Sequence, residues 1–374
     1  MAAQTKIRLR GVWFTVHKWI GILLAVLIIP VSLSGAALVW HDWLDETVNP
    51  ERQVSSGPAR LPFQQYIDSA RTQLGPQDRI AGLTLPGNEG AVQVTAVRAP
   101  EGGGTRPVRT SVWVDPASGD VLDRQSGNEG VVRFLHVLHG SLMIPGMGRQ
   151  IVGWIGVFML VSSLTGLWLW WPGVGGFRRG LRWRRQDSTN ANLHHMMGFW
   201  IALPLAMLSF TGVWISFPGV FGGNAPPAAA AKAKAPPRGP ALPLEQPRLN
   251  PEVAAVMAAR GEAALRTLTW PTTQSPQWTV AVRDARGGGA EFKVHDQTGA
   301  VERQGPRPET TARTMRRWHD GNGMGPLWQT IIFIGGILPA LLAVTGILMW
   351  LRTRKWRGTA GKRRQDVGIG LKTK

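Results

Sequence analysis

The sequence predicts a membrane protein, mainly α-helical, whose four transmembrane helices come from a duplicated unit of helix, external α/β segment and helix. Three observations lead to this prediction: four long segments almost without charge, basic residues gathered at the ends of those segments, and an internal repeat. Together they indicate a chain that crosses a bilayer four times and places two large segments outside it.

Four apolar segments of about 22–25 residues stand out, at 19–40, 150–171, 196–217 and 327–351. A helix rises ~1.5 Å per residue, so about 20 apolar residues cross the ~30 Å hydrocarbon core of a bilayer. Four equally apolar buried helices in one soluble protein are the less favoured alternative. The first segment is longer than the apolar part of a signal peptide, which predicts a retained anchor.

The net charge of +19 is concentrated in short segments beside the apolar ones. The residues concerned are Lys6, Arg8 and Arg10; Arg178, Arg179, Arg182, Arg184 and Arg185; and Arg352, Arg354, Lys355, Arg357, Lys362, Arg363 and Arg364. Short segments rich in Lys and Arg stay in the cytoplasm, so both termini and the 172–193 loop are predicted to be cytoplasmic. A nucleic-acid-binding protein would need a basic domain that bears aromatic residues. We therefore expect the lipid bilayer as a partner, and no nucleic acid.

The predicted organisation places two external segments between pairs of membrane helices. In chain order it comprises a cytoplasmic tail with the first helix (1–40), an external segment (41–149), a second helix (150–171), a cytoplasmic basic loop (172–193), a third helix (194–217), an external segment with an Ala/Pro-rich linker (218–326), a fourth helix (327–351) and a cytoplasmic basic tail (352–374). The stretches "SVWVDPASGDVL" and "EFKVHDQTGAV" predict β-hairpins, because each places a polar–Gly turn between β-prone residues. The stretches "EGVVRFLHVLHG" and "ETTARTMRRWHD" predict short helices.

The two halves of the chain align with each other over about 180 residues. Offsets of 177 and 180 residues place His17 on His194, Gly21 on Gly198, Gly35 on Gly212, Gly119 on Gly299, His139 on His319 and Thr165-Gly166 on Thr345-Gly346. Each half contains two membrane helices, so both halves have the same orientation. Parallel repeats of this kind predict a pseudo-twofold axis along the membrane normal.

Four of the eight histidines form repeat-related pairs, His17 with His194 on the cytoplasmic side and His139 with His319 on the external side. A twofold axis brings equivalent residues face to face, and two facing imidazoles are what a six-coordinate haem iron needs. We therefore predict two haems with these four histidines as axial ligands of the iron. Histidines that merely cap helices are one alternative. A zinc or copper site is another, although two histidines without carboxylate or thiolate partners are poor zinc ligands.

The other histidines have weaker assignments. His195 and His136 lie beside the chosen ligands and are alternative ligands, or residues that bind haem propionates or substrate. His41 and Arg316 are candidates to contact an external substrate, and His295 is expected at the surface of a hairpin. The sequence identifies no catalytic residue, since it contains no P-loop, HExxH or GxSxG motif. Without a flavin or nicotinamide domain, electrons for a redox reaction would come from a quinol or another protein.

The absence of cysteine and the positions of six glycines bear on the predicted haem sites. The absence of cysteine excludes disulfides, iron–sulfur clusters and thiolate-bound metals. Gly21 and Gly198 follow their histidines by four residues, share the same helix face and would leave room for a flat macrocycle. Four further glycines are expected to clear space in the same way, Gly35 and Gly212 for the external haem and Gly166 and Gly346 for the internal one. Close helix packing is the alternative role for such glycines.

Several motifs resemble one known family. The stretches "HKWIG", "DPASGDVL", "LHVLHGSL", "TGLWLWWP" and "HHMMGFW" are similar to the PepSY-associated transmembrane family, and the similarity covers nearly the whole chain except the 222–246 linker. Within this family, the motifs resemble those of the FoxB-like ferric-siderophore reductases, which bind haem b. The resemblance implies PepSY-like external segments, a bacterial inner-membrane location, and electron transfer across the bilayer to a periplasmic ferric siderophore, with release of Fe(II).

Two other functions stay open at this point. A non-enzymatic PepSY membrane protein would regulate or chaperone a periplasmic partner, and its histidines would only cap helices. A permease for haem or a metal chelate is less favoured, because the predicted bundle interior offers few polar residues to line a path.

Overall fold

The computed structural model describes residues 2–370 except 54–55, 88–89, 101–106, 172–176, 184–185, 222–240, 260–263, 284–288 and 306–307. Most of the predicted 222–246 linker, with Arg184 and Arg185, lies outside the described residues. The chain divides into two compact units. The membrane unit comprises Met1–His41, Leu135–Asn224 and Glu309–Lys374, and the sheet unit comprises Asp42–Phe134 and Ala225–Pro308.

The described secondary structure alternates between long helices and short strands. The helices are α1 (Ala2–Val39), α2 (His41–Val48), a 3₁₀ turn (Pro50–Gln53), α3 (Phe63–Arg71), α4 (Val131–Ser141), α5 (Gly148–Trp170), α6 (Phe177–Gly180), α7 (Thr189–Ser216), α8 (Pro218–Phe221), α9 (Pro251–Ala259), α10 (Thr311–Asp320) and α11 (Pro326–Gly370). The strands are β1 (Arg79–Thr84), β2 (Val92–Arg98), β3 (Val108–Val114), β4 (Val121–Ser126), β5 (Ala264–Thr269), β6 (Gln277–Arg283), β7 (Gly289–His295) and β8 (Val301–Gln304).

Within the described part of the chain, four helical segments are long and apolar enough to cross a membrane. They are Leu9–Val39, Gly148–Trp170, Thr189–Ser216 and Pro326–Arg354. They coincide with the four apolar segments of the sequence, and the protein is therefore a multi-pass membrane protein.

The four membrane helices pack in a closed ring. Helix α1 contacts α5 and α11, and α7 contacts the same two helices. Glycines allow neighbouring helices to approach each other closely. A Cβ atom added to Gly336 of α11 would lie 2.7 Å from the Cβ of Ala36 in α1. Small residues are typical of such contacts, because helices in lipid associate through close van der Waals packing.

The ends of the membrane helices differ from the predicted boundaries. Helix α7 begins at Thr189, five residues before the predicted 194, because the Ser188 side chain accepts a hydrogen bond from Ala191 N and caps the helix there. Helix α1 already begins at Ala2, and α11 continues to Gly370. The basic tails predicted at 1–18 and 352–374 are thus largely extensions of membrane helices.

The two segments predicted to be external contribute the strands of one continuous antiparallel eight-stranded sheet, in the order β4-β3-β2-β1-β5-β6-β7-β8. The two predicted hairpins are confirmed as β3–β4 and β7–β8. The predicted short helices are confirmed as α4 and α10. The pairing of β1 with β5, which sets Leu83 opposite Leu268, was not foreseen. It joins strands about 185 residues apart in the chain, whereas hairpin patterns report only neighbouring strands.

The core of the sheet unit lies between the sheet and helices α3 and α9. Tyr66, Leu83, Leu268 and Trp278 are fully buried there. Burying side chains of this size contributes about 1.5–3 kcal/mol each, so the unit has a hydrophobic core of its own.

Two buried aspartates order the loops at this core. Asp115 accepts hydrogen bonds from the backbone N–H groups of Ser56, Ala117 and Ser118 at 2.8–2.9 Å. Asp296 accepts bonds from the Trp278 indole and from the backbone N–H groups of two residues before α9. Although burial by itself raises the pKa of Asp115, the hydrogen bonds from Ser118, Ser56 and Ala117 hold that pKa well below its ordinary value.

We expect Asp115→Asn to lower the free energy of unfolding at pH 7 by about 1–3 kcal/mol, because an amide replaces a charged acceptor. A depressed folded-state pKa stabilises the protein above the unfolded pKa of about 3.9, and this contribution is lost as the pH falls below that value. Denaturant unfolding at pH 7 and pH 3, followed by tryptophan fluorescence, checks both effects. The matched control is Asp120→Asn, an exposed carboxylate in the same turn. Equal unfolding midpoints for Asp115→Asn and wild type at pH 7 would contradict the assignment.

Candidate functional site

The four repeat-related histidines come together as two pairs. His17 of α1 and His194 of α7 have ring centroids 6.4 Å apart, with an angle of 81° between the ring planes. His139 of α4 and His319 of α10 have centroids 5.9 Å apart, with an angle of 41°. Two imidazoles bound to opposite sides of one metal ion, at nitrogen–metal distances of about 2 Å, place their centroids roughly 6 Å apart. Both pairs therefore have a spacing suited to axial ligation.

Main-chain carbonyls fix the ring orientation of three of these histidines. His17 Nδ1 lies 3.0 Å from the Ser162 carbonyl, His139 Nδ1 2.8 Å from that of Val31, and His319 Nδ1 3.1 Å from that of Leu208. A carbonyl only accepts, so each Nδ1 must carry the hydrogen and donate it. In the neutral ring, Nε2 then holds the lone pair that a metal ion can bind.

His194 reaches the same state through a hydroxyl group. Its Nδ1 lies 2.9 Å from Thr345 Oγ1. The hydroxyl of Thr345 donates to the Leu341 carbonyl at 2.9 Å, so its oxygen is left to accept the Nδ1–H of His194. Thr165 and Thr211 lie 3.2 and 3.0 Å from the Nδ1 atoms of His17 and His319. Metal-binding histidines commonly donate their second ring N–H to a fixed acceptor in this way.

Each ring also rests on a glycine of a neighbouring helix. A Cβ atom added to Gly35, Gly166, Gly212 or Gly346 would lie 2.7, 3.1, 3.1 or 3.5 Å from Cε1 of His139, His17, His319 or His194. Gly35, Gly166 and Gly212 thus make room for the imidazole rings, whereas an added Cβ at Gly346 would make an ordinary van der Waals contact. The sequence predicted instead that these four glycines clear space for a macrocycle. Gly21 and Gly198 are different: an added Cβ would meet nothing within 4 Å at Gly21 and only Leu342 Cδ2, at 3.8 Å, at Gly198.

A cavity of about 470 Å³ surrounds the His17–His194 pair, and Gly21, Gly198 and His195 line it. Its walls are mostly apolar, with Ile28, Met159, Phe199, Leu205 and Leu342 among them. Lys18 and Arg354 also line it. Among the described residues, neither cation has a carboxylate within ion-pair distance. The cavity suits a largely apolar ligand with an anionic edge.

Charged groups gather beside the His139–His319 pair. Burial lowers the pKa of His139, and burial together with the neighbouring His139 ring lowers the pKa of His319 to about 3. Both rings are therefore neutral at pH 7. Burial raises the pKa of Asp320, while Arg316, His136, His139 and His41 lower it. The predicted substrate residues His41 and Arg316 thus lie near one carboxylate, and Arg316 Nη1 is 4.0 Å from Asp320 Oδ2.

Two further predicted histidines are not members of the two pairs. His136 is exposed on α4. His295 ends β7 in the sheet unit, opposite Gln277, and is half-buried although the sequence predicted an exposed residue. In the described part of the chain, no three His, Asp or Glu side chains are placed to hold a bare metal ion. Sequence reasoning missed the hydrogen-bond partners of the histidines, although the repeated Thr-Gly dipeptides at 165–166 and 345–346 marked two of them.

The two pairs contact α1 at different levels. His17 lies near the middle of α1, whereas Val31 and Gly35 contact His139 near its C-terminal end. At ~1.5 Å per residue the pairs are separated by roughly 21–27 Å along the helix axis. This distance is comparable to the thickness of the hydrocarbon core.

Comparison with known proteins identifies one family. The sequence matches the family described as the PepSY-associated TM region over residues 14–353. No curated protein matches the chain.

We expect Gly35→Ala to lower the free energy of unfolding by about 1–3 kcal/mol, since its methyl group would overlap the His139 ring. Gly11→Ala on the same helix is the matched control, because an added Cβ there meets nothing within 4 Å. Alanine is also the better helix former by up to about 1 kcal/mol, so the control should be neutral or stabilising. Thermal unfolding of the detergent-solubilised protein, followed by circular dichroism, checks this. Equal melting temperatures for the two variants would contradict the observed ring contact.

Proposed function

Since the chain belongs to the PepSY-associated transmembrane family, we propose that it is a bacterial inner-membrane oxidoreductase that holds two haem b groups. In this proposal it transfers electrons across the bilayer and reduces a ferric siderophore in the periplasm, releasing Fe(II). The observation that carries the proposal is the presence of two facing histidine pairs, one near each end of the membrane helices, with every Nδ1 engaged in a hydrogen bond.

The donor set favours haem over a bare metal ion. Each pair offers two imidazole nitrogens, and the described residues place no cluster of three ligating side chains anywhere. A zinc ion usually takes four protein or water ligands, and its structural sites are built from four side chains. A porphyrin supplies four nitrogens to its iron, so two axial histidines complete six-coordination. A bound haem iron supplies reversible one-electron transfer.

The cavity beside His17 and His194 has the composition that such a ligand needs. Phe199 and Leu205 offer apolar contacts to a flat macrocycle, and Gly21 and Gly198 leave its faces clear. Lys18 and Arg354 would bind the propionate carboxylates of the haem. His195 lines the same cavity and would contact the ligand edge rather than the iron, because His194 is the residue that pairs with His17.

The His139–His319 pair would hold the second haem, on the periplasmic side. The basic residues that follow α5 and lie toward the C-terminal end of α11 support a cytoplasmic location for the His17–His194 end, by the positive-inside rule. His41 and Arg316 near Asp320 would contact an anionic ferric chelate. Reduction to Fe(II) weakens binding by hard oxygen donors, which prefer the harder Fe(III) ion. Each Fe(III) takes one electron, so a two-electron quinol on the donor side would reduce two Fe(III) ions, and a one-electron redox protein would reduce one.

We also propose that the chain arose by duplication. The ring of helices places α1 opposite α7 and α5 opposite α11, as a pseudo-twofold axis would. The strand order β4-β3-β2-β1-β5-β6-β7-β8 is likewise symmetric about the β1–β5 junction. Each histidine pair takes one member from each half of the chain, and equivalent Thr-Gly positions support His17 and His194.

The purified protein should be coloured, with a reduced-minus-oxidised spectrum typical of bis-histidine b haem. His139→Ala and His319→Ala should each remove one haem, and His17→Ala and His194→Ala the other, because each leaves a single axial ligand. Haem content per protein is measured by the pyridine haemochrome assay, with His295→Ala in the sheet unit as the control. A colourless preparation, or full haem content in all four variants, would refute the haem assignment and favour a non-enzymatic partner protein.

The reduced protein should be reoxidised by ferric siderophores in a stopped-flow experiment, with one Fe(II) trapped by a chromogenic chelator per electron. Arg316→Gln should slow this reoxidation and raise the concentration of siderophore at half-maximal rate, while Arg149→Gln provides an exposed control at a different position on the membrane unit. No reoxidation by any ferric chelate, in a protein that binds haem, would leave the electron-transfer centres intact and exclude this substrate class.

A further inference from the structure

We propose that Thr345 is the positioning residue of the His17–His194 centre. Its hydroxyl group accepts the Nδ1–H of His194, and thereby sets the tautomer and the orientation of the ring that presents Nε2. The inference rests on the proposed function, because it assigns His194 Nε2 to the iron of a haem.

The four histidines are not supported equally. His17, His139 and His319 each donate to a main-chain carbonyl at 2.8–3.1 Å. For His194 the partner within hydrogen-bond distance of Nδ1 is the Thr345 hydroxyl, at 2.9 Å. A main-chain carbonyl survives any side-chain substitution, whereas the hydroxyl does not. His194 is therefore the one ligand whose hydrogen-bond support depends mainly on a side chain.

One repeat position differs between the two sides of this centre. Ser162 approaches His17 Nδ1 with its carbonyl at 3.0 Å and its hydroxyl at 3.3 Å. The residue 180 positions further on, at the corresponding place beside His194, is Leu342. Leucine offers no hydroxyl, so His194 Nδ1 has one side-chain partner, the Thr345 hydroxyl, whereas His17 Nδ1 has two, the hydroxyls of Thr165 and Ser162.

Thr345 is itself held in place. Its hydroxyl donates to the carbonyls of Leu341 and Leu342 at 2.9 and 3.1 Å, which directs the oxygen lone pair toward His194. Asn190 Nδ2 donates to the Thr345 carbonyl at 2.9 Å. Asn190 and His194 are one turn apart on α7, so this helix contacts Thr345 at two points. The acceptor is thus fixed relative to the ring that it orients.

The chemical effect follows from the hydrogen bond to Nδ1. An acceptor at Nδ1–H increases the basicity of Nε2, and basic axial ligands favour the ferric over the ferrous state. Loss of the hydroxyl would leave a buried N–H without a strong acceptor and would free the ring to rotate. The binding of haem should weaken, and the reduction potential of the centre should move upward.

The experiment uses the full-length chain with His139→Ala, so that only the His17–His194 centre binds haem. Thr345→Val removes the hydroxyl with little change in volume, and we expect it to weaken binding about 10–100-fold in a hemin titration followed by absorbance. The midpoint potential in a spectroelectrochemical titration should rise. Thr345→Ser, which keeps the hydroxyl, should restore both values. If Thr345→Val does not accumulate, Thr345→Ala and Thr345→Ser make the same comparison.

Two controls separate this role from general packing. Thr165→Val makes the same substitution where the Ser162 carbonyl remains, so it should cost much less affinity than Thr345→Val. Thr330→Val lies on an exposed part of α11, where the hydroxyl bonds only its own helix, and should match the parent protein. Wild-type affinity and potential in Thr345→Val, or an equal loss in Thr345→Ser, would overturn the inference. A wild-type chain that binds no haem would overturn the proposed function itself.

Discussion

The hydrogen bond from each imidazole Nδ1–H to a neighbouring helix is the interaction on which the arrangement of the membrane unit depends. A polar ring placed in an apolar interior costs free energy unless its N–H is paired. At both pairs the acceptor belongs to a helix other than the one that carries the histidine, as with His17 of α1 and Ser162 of α5. The pairs therefore cross-link the helices as well as facing each other. The glycines beneath the rings provide the space that these hydrogen bonds require. Any side chain at Gly35 would displace the His139 ring from its acceptor, the Val31 carbonyl.

The sheet unit depends on the pairing of the two halves of the chain, because each half contributes only four strands. A four-stranded sheet leaves two edges with unpaired backbone groups. Two separate four-stranded sheets would have four such edges. The β1–β5 pairing joins two of these edges at the centre of the eight-stranded sheet, and Leu83 and Leu268 belong to one core. Helices α3 and α9 then cover this core together. The buried aspartates Asp115 and Asp296 close the loops on either side, where backbone N–H groups would otherwise lack partners.

Much of this architecture was readable from the sequence. Hydropathy and length located the four membrane helices, and the internal repeat selected His17, His194, His139 and His319 from eight histidines. Helix ends were less accurate, because the cap at Ser188 is a local hydrogen bond that hydropathy does not report. The acceptors of the histidines were missed for a related reason. Every residue has a main-chain carbonyl, so the identity of Val31 does not mark its carbonyl as an acceptor. Only the three-dimensional structure shows which turn of α1 contacts α4.

Helix α1 connects the two ends of the membrane unit, because it carries His17 and also supplies the Val31 carbonyl and the Gly35 surface to His139. Each residue of a helix turns the chain by about 100°. One residue inserted or deleted between 17 and 31 would therefore rotate one end of α1 by more than a quarter-turn against the other. The number of residues between 17 and 31 is thus constrained separately from their identities. Among related chains this stretch should change by substitution alone, while length differences collect in the loops outside the bilayer.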